Sequence, residues 1–485
     1  MTEEPRTGQA NKLASILARD IEAEIVRRGW AVGESLGSEQ ALQQRFGVSR
    51  SVLREAVRLV EHHQVARMRR GPNGGLYICE PDAGPATRAV VIYLEYLGTT
   101  LGDLLNARLV LEPLAASLAA ERIDEAGIAR LRAVLHAEEQ WKPGLPAPRD
   151  EFHIVLAEQS KNPVLQLFIH VLMRLTTRYA LASRTDTETE ALEAVDHLHA
   201  HHSAIVAAVT AGDSARAKTL SERHVEAVTG WLHQHHAGDR SRGRERRRRL
   251  DSETPRGKLA EMLAATIGDD IAASGWRVGA VFGTETALLQ RYRVSRAVLR
   301  EAVRLLEYHS IAHMRRGPGG GLAVARPAAQ ASINTIALYL QYRGPSREGL
   351  RCVRDAIEID NVAKVVKRLA EPDVAAFLAS HRSGLPENPR PTADDVRQAI
   401  AAEFDFHVGL AQLAGNALLD LFLRIIVELF RRHWSSTGQA QPTWSDVLAV
   451  HHAHVRIVEA VEAADESLAC YRLRRHLDAA ASWWL

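Results

Sequence analysis

The sequence predicts a mainly α-helical protein that contains two copies of one multi-domain unit. Alanine, leucine and arginine are abundant and aromatic residues make up only 5% of the chain, a composition that favours helices. Segment 12–81 aligns without gaps onto segment 258–327, and about 40 of the 70 positions are identical. Strand signals are confined to one short hairpin in each copy. An offset of 246 residues is too long for a solenoid repeat, so each copy must contain more than one domain.

The composition also excludes several classes of protein. With 485 residues the chain is long enough for three or four domains, and its hydrophobic content of 46% supports buried cores. The three cysteines lie far apart, which argues against a disulfide framework and for a reducing cytoplasm. We expect a cytoplasmic protein without membrane association, because the sequence has neither a signal peptide nor an apolar run of bilayer length. Since the net charge is only +2, any nucleic-acid contact must depend on local charge.

Each copy begins with three predicted helices. Leu13–Arg28 has apolar residues at helical spacing and ends at Gly29. Ser38–Phe46 is a short helix with Ser38 as its N-cap, and a turn at Gly47 separates it from the next helix. That third helix, Ser49–His62, begins with a second capping serine. A short helix, a tight turn and a further helix form the helix-turn-helix pattern.

The third helix has separate basic and apolar faces. Arg50, Arg54 and Arg58 stand four residues apart and form one basic stripe, while apolar residues fall on another face. Guanidinium groups suit phosphates and guanine edges because they donate two parallel hydrogen bonds. The second copy repeats the pattern with Ser295, Arg296, Arg300 and Arg304. For one helix alone, an ordinary solvated basic face is an equally good interpretation.

A β-hairpin is predicted after the basic helix. Its strands are 65–68 and 76–79, and its tip contains Arg70 and Gly71, repeated as Arg316 and Gly317 in the second copy. Glycines keep such a tip slim enough to approach DNA closely. The alternative is a plain surface hairpin. Because a basic hairpin follows a basic helix in both copies, the sequence favours a winged helix-turn-helix domain.

Both winged segments resemble the DNA-binding domain of the GntR family of bacterial transcription regulators. The resemblance is carried by Ser38-Glu39, Val48-Ser49-Arg50, segment 52–58 and Arg70-Gly71, and the second copy matches as closely. One departure is glycine at positions 37 and 283, where the family commonly has proline. The DNA-contacting residues that the resemblance implies are Ser49, Arg50, Arg54, Arg58, Arg70, Gly71, Ser295, Arg296, Arg300, Arg304, Arg316 and Gly317.

About 150 residues of helical pattern follow each winged segment. Pro/Ala-rich hinges are predicted at 81–87 and 327–331, and a proline-rich break lies near 142–148. These helical segments are similar to the all-helical ligand domain of the FadR branch of the same family, through motifs such as Phe152-His153 and Arg223-His224. The predicted domains are a winged domain at 1–81, a ligand domain at 82–235, a basic linker at 236–257, a second winged domain at 258–327 and a second ligand domain at 328–485.

Histidines are predicted to converge in each ligand domain. His202 and His224 lie ten residues before and twelve residues after the turn at Gly212, so on antiparallel helices both sit roughly 15–18 Å from the turn. His454 and His476 repeat the separation of 22 residues, and His153 or His407 comes from an earlier helix. Three imidazoles can bind Zn²⁺ or Ni²⁺. The alternative is three histidines that are hydrogen-bonded in separate places.

The FadR-branch resemblance implies a fourth metal ligand, a carboxylate four residues before the first histidine. In the second half that residue is Glu403, which completes a set with His407, His454 and His476. In the first half the position is Arg149, with Asp150 beside it, so the set of His153, His202 and His224 is incomplete. We therefore expect about one tightly bound divalent ion per chain, and Arg149 is a candidate for holding an effector carboxylate.

Arg108 and Arg354 occupy equivalent places on an earlier helix. Either arginine could grip a carboxylate effector with a bidentate contact. Either could equally pair with a glutamate four residues further along, Glu112 or Glu358. The sequence does not decide between these alternatives.

The whole sequence predicts a ligand-responsive transcriptional regulator made of two fused regulator units. Its partners would be a pseudo-palindromic double-stranded DNA operator and a small organic-acid effector, and one chain would imitate a dimer, with further homodimerisation left open. One rival function is metal-dependent hydrolysis, since a three-histidine site can activate water. The chain shows no nucleophile motif, phosphate loop or general base beside the histidines. The other rival is an architectural DNA-binding protein without an effector.

Overall fold

The computed structural model is mainly helical and divides into two compact units. One unit comprises Met1–Tyr93 with Lys258–Gly344, and the other comprises Leu94–Gly257 with Pro345–Leu485. Each unit therefore pairs a segment of the first half with the equivalent segment of the second half. The residues that the structure describes are 4–71, 73–141, 151–182, 188–235, 259–315, 317, 319–327, 329–382, 392–437 and 443–484.

The helices of the first half lie in the segments predicted to be helical, apart from the hinge and the start of the first helix. The predicted hinge at 81–87 is wrong because a helix begins at Ala83; Pro85 lies in its first turn, where a missing N–H is tolerated. The first helix begins earlier than predicted, at Glu4. The elements are α1 (Glu4–Arg27), α2 (Glu39–Phe46), α3 (Arg50–His62), β1 (Ala66–Arg69), β2 (Gly75–Ile78), α4 (Ala83–Tyr96), α5 (Leu101–Arg122), α6 (Glu125–Glu139), α7 (Glu151–Gln159), α8 (Pro163–Ala182), α9 (Glu188–Thr210) and α10 (Ser214–His235).

The second half repeats this order with one added strand. The strand Val281–Gly283 was not predicted, because three residues are too few to show an alternating pattern; it pairs with the second strand of the hairpin. The predicted hinge at 327–331 is also wrong, since a helix begins at Ala329. The elements are α11 (Leu259–Ala273), β3 (Val281–Gly283), α12 (Glu285–Tyr292), α13 (Arg296–Tyr308), β4 (Ala312–Arg315), β5 (Gly321–Val324), α14 (Ala329–Arg343), α15 (Arg347–Lys367), α16 (Pro372–Ser380), α17 (Ala393–Ala414), α18 (Ala417–Thr437), α19 (Trp444–Glu462) and α20 (Glu466–Trp484).

Each winged domain has its own apolar core. Ile21 on α1, Leu53 on α3 and Leu76 on β2 are buried together in the first domain, and equivalent positions are buried in the second. The wing is an antiparallel hairpin in both copies. Its first strand is tied to the preceding helix, because the backbone N–H of Met68 donates a hydrogen bond of 2.9 Å to the Glu61 carboxylate. Glu307 accepts the equivalent bond in the second domain, so helix and wing are held as one body.

The helix that follows each wing packs against the other winged domain. Leu338 on α14 belongs to the core of the first winged domain. Tyr342 on the same helix contacts the Trp30 ring edge-on at 5.3 Å, and its hydroxyl donates a 2.9 Å hydrogen bond to Glu80. In the reverse direction, Ile92 on α4 packs against the core of the second winged domain. This exchange of helices joins the two winged domains.

The second unit consists of two similar helical bundles, α5–α10 and α15–α20. Their cores are separate: one contains Phe152 and Val209, and the other contains Phe406 and Ile457. The bundles contact each other through α5, α8, α15 and α18. No described helix has both the length and the apolar character needed to span a membrane.

Candidate nucleic-acid interface and metal centres

The basic helices α3 and α13 bury one face and expose arginines on the other. Ser49 caps α3 by accepting a hydrogen bond from the backbone N–H of Val52 at 3.4 Å, and Ser295 caps α13 in the same way. Leu53 is fully buried, whereas the side chains of Arg50 and Arg54 are 64% and 55% exposed. Arg296 and Arg300 are 75% and 69% exposed, so both copies offer guanidinium groups to solvent.

A glutamate at the start of α2 orders two of these arginines. The Nε atoms of Arg50 and Arg54 donate hydrogen bonds of 3.0 and 2.8 Å to the same oxygen of Glu39. The hydrogen bond from Arg50 is the main cause of the lowered pKa of Glu39. In the sequence Glu39 is recognisable only as part of the Ser38-Glu39 motif. In the second copy Glu285 lies further away, at 3.7 and 4.0 Å, so its arginines are less constrained.

The remaining interface residues lie on the third turn of the basic helix and on the wing. Arg58 donates a 2.8 Å hydrogen bond to Glu55. Arg70 is exposed beside Gly71, whose φ of 112° lies in the left-handed region that glycine adopts easily. Gly317 has the same type of backbone, with φ of 93°. Arg316 lies outside the described residues.

The second winged domain has a groove of about 650 Å³ between α13 and its wing. Arg300, Arg304 and Arg315 contribute to the lining of this groove. Arginines on a helix and on an adjacent hairpin suit contacts with base edges and phosphates respectively. In the second winged domain the helix and the wing therefore present arginines to one groove, which Glu285 and Glu307 also line.

Four side chains converge in the core of the second bundle. Glu403 and His407 lie one turn apart on α17, His454 comes from α19 and His476 comes from α20. The Nε2 atom of His476 lies 3.1 Å from that of His407 and 3.3 Å from that of His454. Glu403 Oε2 lies 2.8 Å from His454 Nε2, and all four residues are buried. This spacing and donor set fit one divalent cation.

A second carboxylate orients the first of these histidines. Glu358 contacts Nδ1 of His407, which leaves Nε2 directed toward the other donors. Burial alone would lower the pKa of His407, but Glu358 and Glu403 outweigh it and raise the pKa to about 10. A cation at this site would therefore displace a proton from His407.

The first bundle brings together three buried histidines. His153, His202 and His224 each offer a ring nitrogen, and these atoms lie within 4.8 Å of one another. His153 Nδ1 lies 3.0 Å from Glu112, and His202 Nδ1 lies 2.8 Å from Glu138. Among the described residues, His202 Nε2 and both nitrogens of His224 have no hydrogen-bond partner. The three imidazoles, with one nitrogen from each, fit a cation with open coordination positions.

Burial keeps two of these imidazoles neutral. It lowers the pKa of His202 to about 4 and that of His224 well below its ordinary value. A neutral imidazole is the form that binds a metal. Arg149 and Asp150, the two residues on which the fourth ligand depended, lie outside the described residues. Glu138 was missed because no sequence motif shows that α6 packs beside α9.

Arg108 and Arg354 both stand next to the glutamate four residues further along. The buried Arg108 Nε donates a 2.5 Å hydrogen bond to Glu112, and Arg354 Nε lies 3.6 Å from Glu358. Burial favours a raised pKa for Glu112, but the charges of Arg108 and His153 outweigh it and hold that pKa well below its usual range. Each arginine thus supports the carboxylate that orients a histidine.

Known protein families match the first winged domain and both helical bundles. The family described as "FCD domain" matches residues 103–227 and 350–479, and "Bacterial regulatory proteins, gntR family" matches residues 13–75. The chain is 31% identical over 207 residues to the HTH-type transcriptional regulator LutR of Bacillus subtilis (strain 168), covering 40% of this chain and 90% of LutR.

Other relatives align over similar lengths. The Uxu operon regulator of Haemophilus influenzae is 28% identical over 170 residues, covering 32% of this chain and 55% of that protein. The HTH-type transcriptional repressor NanR of Escherichia coli (strain K12 / DH10B) is 26% identical over 228 residues, covering 46% of this chain and 85% of NanR. Among solved structures, Streptococcus agalactiae GntR covers 45% of this chain and 99% of its own length, at 22% identity and a TM-score of 0.31. Each of these proteins aligns with less than half of this chain.

Proposed function

Because the chain belongs to the GntR family of bacterial regulatory proteins and carries two FCD domains, we propose that it acts as a one-chain counterpart of a dimeric regulator. It is a ligand-responsive, DNA-binding transcriptional regulator and not a hydrolytic enzyme. The observation that carries the proposal is how the chain divides into compact units. The two winged domains form one unit, and the two bundles form the other. Two recognition helices in one chain suit a pseudo-palindromic operator.

In this proposal each winged domain reads one half-site. Arg50 and Arg54, or Arg296 and Arg300, contact bases and nearby phosphates, and Arg70 or Arg316 in the wing contacts phosphate or the minor groove. The exposure of the first four side chains supports this assignment. The domain boundaries at 81, 235, 257 and 327 serve as the working division of the chain.

Each bundle binds a divalent cation, Zn²⁺ or Ni²⁺, and an effector that carries a carboxylate. Glu403, His407, His454 and His476 hold the tighter ion, because they supply four donors including an anion. The first bundle holds its ion more weakly through His153, His202 and His224, because three neutral donors do not compensate the positive charge of the cation as an anionic donor does. The bound ion would supply open coordination positions for the effector carboxylate. Arg108 and Arg354 position Glu112 and Glu358.

The test combines metal content with DNA binding. We expect about one divalent ion per chain after prolonged dialysis, lost in Glu403→Ala or His454→Ala and retained in His202→Ala. A matched control is His381→Ala, which removes a histidine of the same bundle that lies outside the four-donor set. Small carboxylic acids should change the mobility of the operator complex of the wild-type chain. If no acid changes DNA binding, in the presence or in the absence of metal, the result would contradict the ligand-responsive function and favour the architectural one.

A further inference from the structure

Two further histidines lie on α9 beside the first metal centre. His197 and His201 are one helical turn apart, and their ring centres are 4.5 Å from each other. The ring of His201 is in turn 5.8 Å from that of His224. His197 is exposed, His201 is half-buried and His224 is buried. The three imidazoles therefore form a graded path from the protein surface to the first site.

The inner part of this path has two ring nitrogens that the three-histidine set does not use. Nδ1 of His201 and both nitrogens of His224 are buried without a hydrogen-bond partner among the described residues, and one of the two His224 nitrogens belongs to the three-histidine set. Buried polar atoms are normally paired, so Nδ1 of His201 and the second nitrogen of His224 indicate that a further group is accommodated there. His199, on the same helix, differs because Glu138 lies 3.4 Å from its Nδ1. The unused atoms thus belong to the row that leads to His224.

The second bundle lacks this row. When His202 is aligned with His454, the positions of His197 and His201 correspond to Ala449 and Ala453. His199 and His202, in contrast, keep histidine counterparts at 451 and 454. The additional pair is therefore separate from the ligand set that the two bundles share.

Resting on the proposed binding of a cation by His153, His202 and His224, we propose that His197 and His201 form an entry site for that cation. Histidines at i and i+4 present two imidazoles on one helix face, an arrangement that captures a divalent ion. Two imidazoles that share one ion hold their nitrogens within about 4 Å, twice the metal–nitrogen distance of about 2 Å. An ion captured at the surface passes from His201 to His224 without returning to bulk water. The first site consequently exchanges its ion faster than the second.

The test is the rate of Co²⁺ binding to the metal-free full-length chain, followed by the Co²⁺ absorption spectrum in a stopped-flow instrument. We expect a fast phase that disappears in His224→Ala and a slow phase that disappears in His476→Ala. The double variant His197→Ala/His201→Ala should slow the fast phase about tenfold and leave the amount of Co²⁺ bound at saturation unchanged. The matched control, His451→Ala/His452→Ala, should leave both phases unchanged. The converse variant, Ala449→His/Ala453→His, should accelerate the slow phase.

Two results would overturn the entry site while leaving the proposed metal binding intact. One is an unchanged fast phase in the His197/His201 double variant. The other is the loss of one Co²⁺ per chain at saturation, which would make the pair part of the final ligand set. If the wild-type chain binds no Co²⁺ in either phase, the proposed metal binding fails and the entry site fails with it.

Discussion

The rings of Phe168 and Phe422 stack on each other, with their centres 4.0 Å apart and their planes 6° from parallel. These phenylalanines occupy equivalent positions on α8 and α18. On either side of them, Asn162 Nδ2 donates a 2.9 Å hydrogen bond to the carbonyl oxygen of Gly349, and Asn416 Nδ2 donates an equal bond to that of Asp103. A residue that meets its own counterpart, flanked by reciprocal contacts, defines a pseudo-twofold axis between the two bundles.

The first prediction concerns this axis. Phe168→Ala and Phe422→Ala should each destabilise the chain by about 3–5 kcal/mol, because each removes a fully buried ring. In the double variant the two effects should be coupled by about 0.5–1.5 kcal/mol, the range expected for an aromatic pair. Urea unfolding measures all three values. The control pair Phe168→Ala/Phe406→Ala should be additive, and additivity of Phe168 with Phe422 would contradict a direct contact.

The second prediction concerns the turn before each basic helix. Gly47 and Arg293 end α2 and α12 with φ of 62° and 52°, a conformation that costs an arginine roughly 1 kcal/mol more than a glycine. Arg293→Gly should therefore stabilise the second winged domain by about 1 kcal/mol, and Gly47→Arg should destabilise the first by a similar amount, as measured by urea unfolding. Gln290→Gly, inside α12, is a control of opposite sign. A destabilising Arg293→Gly would show that the arginine makes a compensating contact.

The third prediction concerns DNA recognition. Replacing Arg50 and Arg54 with Ala should weaken operator binding by about 1–3 kcal/mol per lost base contact and relax the preference at one half-site. Arg296→Ala with Arg300→Ala should do the same at the other half-site. Fluorescence anisotropy with operators mutated in either half-site separates the two effects. Arg130→Ala, an exposed arginine on α6 of the ligand domain, is the control. If the quadruple variant is as selective for the operator as the wild-type chain, α3 and α13 do not recognise the DNA sequence.

The fourth prediction concerns Cys352, whose thiol lies 3.5 Å from Asn162 across the bundle interface. Burial raises the pKa of this thiol to about 11. Because the thiolate is the reactive form, the rate at which iodoacetamide labels Cys352 should rise about tenfold with each pH unit from 8 to 10 and reach half its maximum near pH 11. Peptide mass spectrometry measures the labelling. In urea the rate should reach half its maximum near pH 8.5, the ordinary pKa of a thiol. A native profile with its midpoint near pH 8.5 would show that the interface opens in solution.

Features of the fold and of the site that depend on local sequence patterns could be predicted from the sequence. The capping serines at 38, 49 and 295 predicted the starts of the short helices, and the spacing of His202 and His224 predicted that their rings approach each other. Features that depend on packing between distant segments of the chain could not be predicted from the sequence. Leu338 packs in the core of the first winged domain, and Glu138 contacts His202. Both contacts join residues far apart in the chain, and no local sequence pattern predicts either. The first hinge was mispredicted because a proline in a first helical turn resembles a proline in a linker, and the second because Pro327 lies just before a helix that begins at Ala329.

The central claim is that one chain supplies both halves of a regulator dimer. Native mass spectrometry of the chain bound to its minimal operator tests this claim most directly. We predict one chain of 53.5 kDa per operator duplex, at chain concentrations both below and above that of the DNA. Two chains per minimal duplex, with no complex of one chain at any ratio, would contradict the claim.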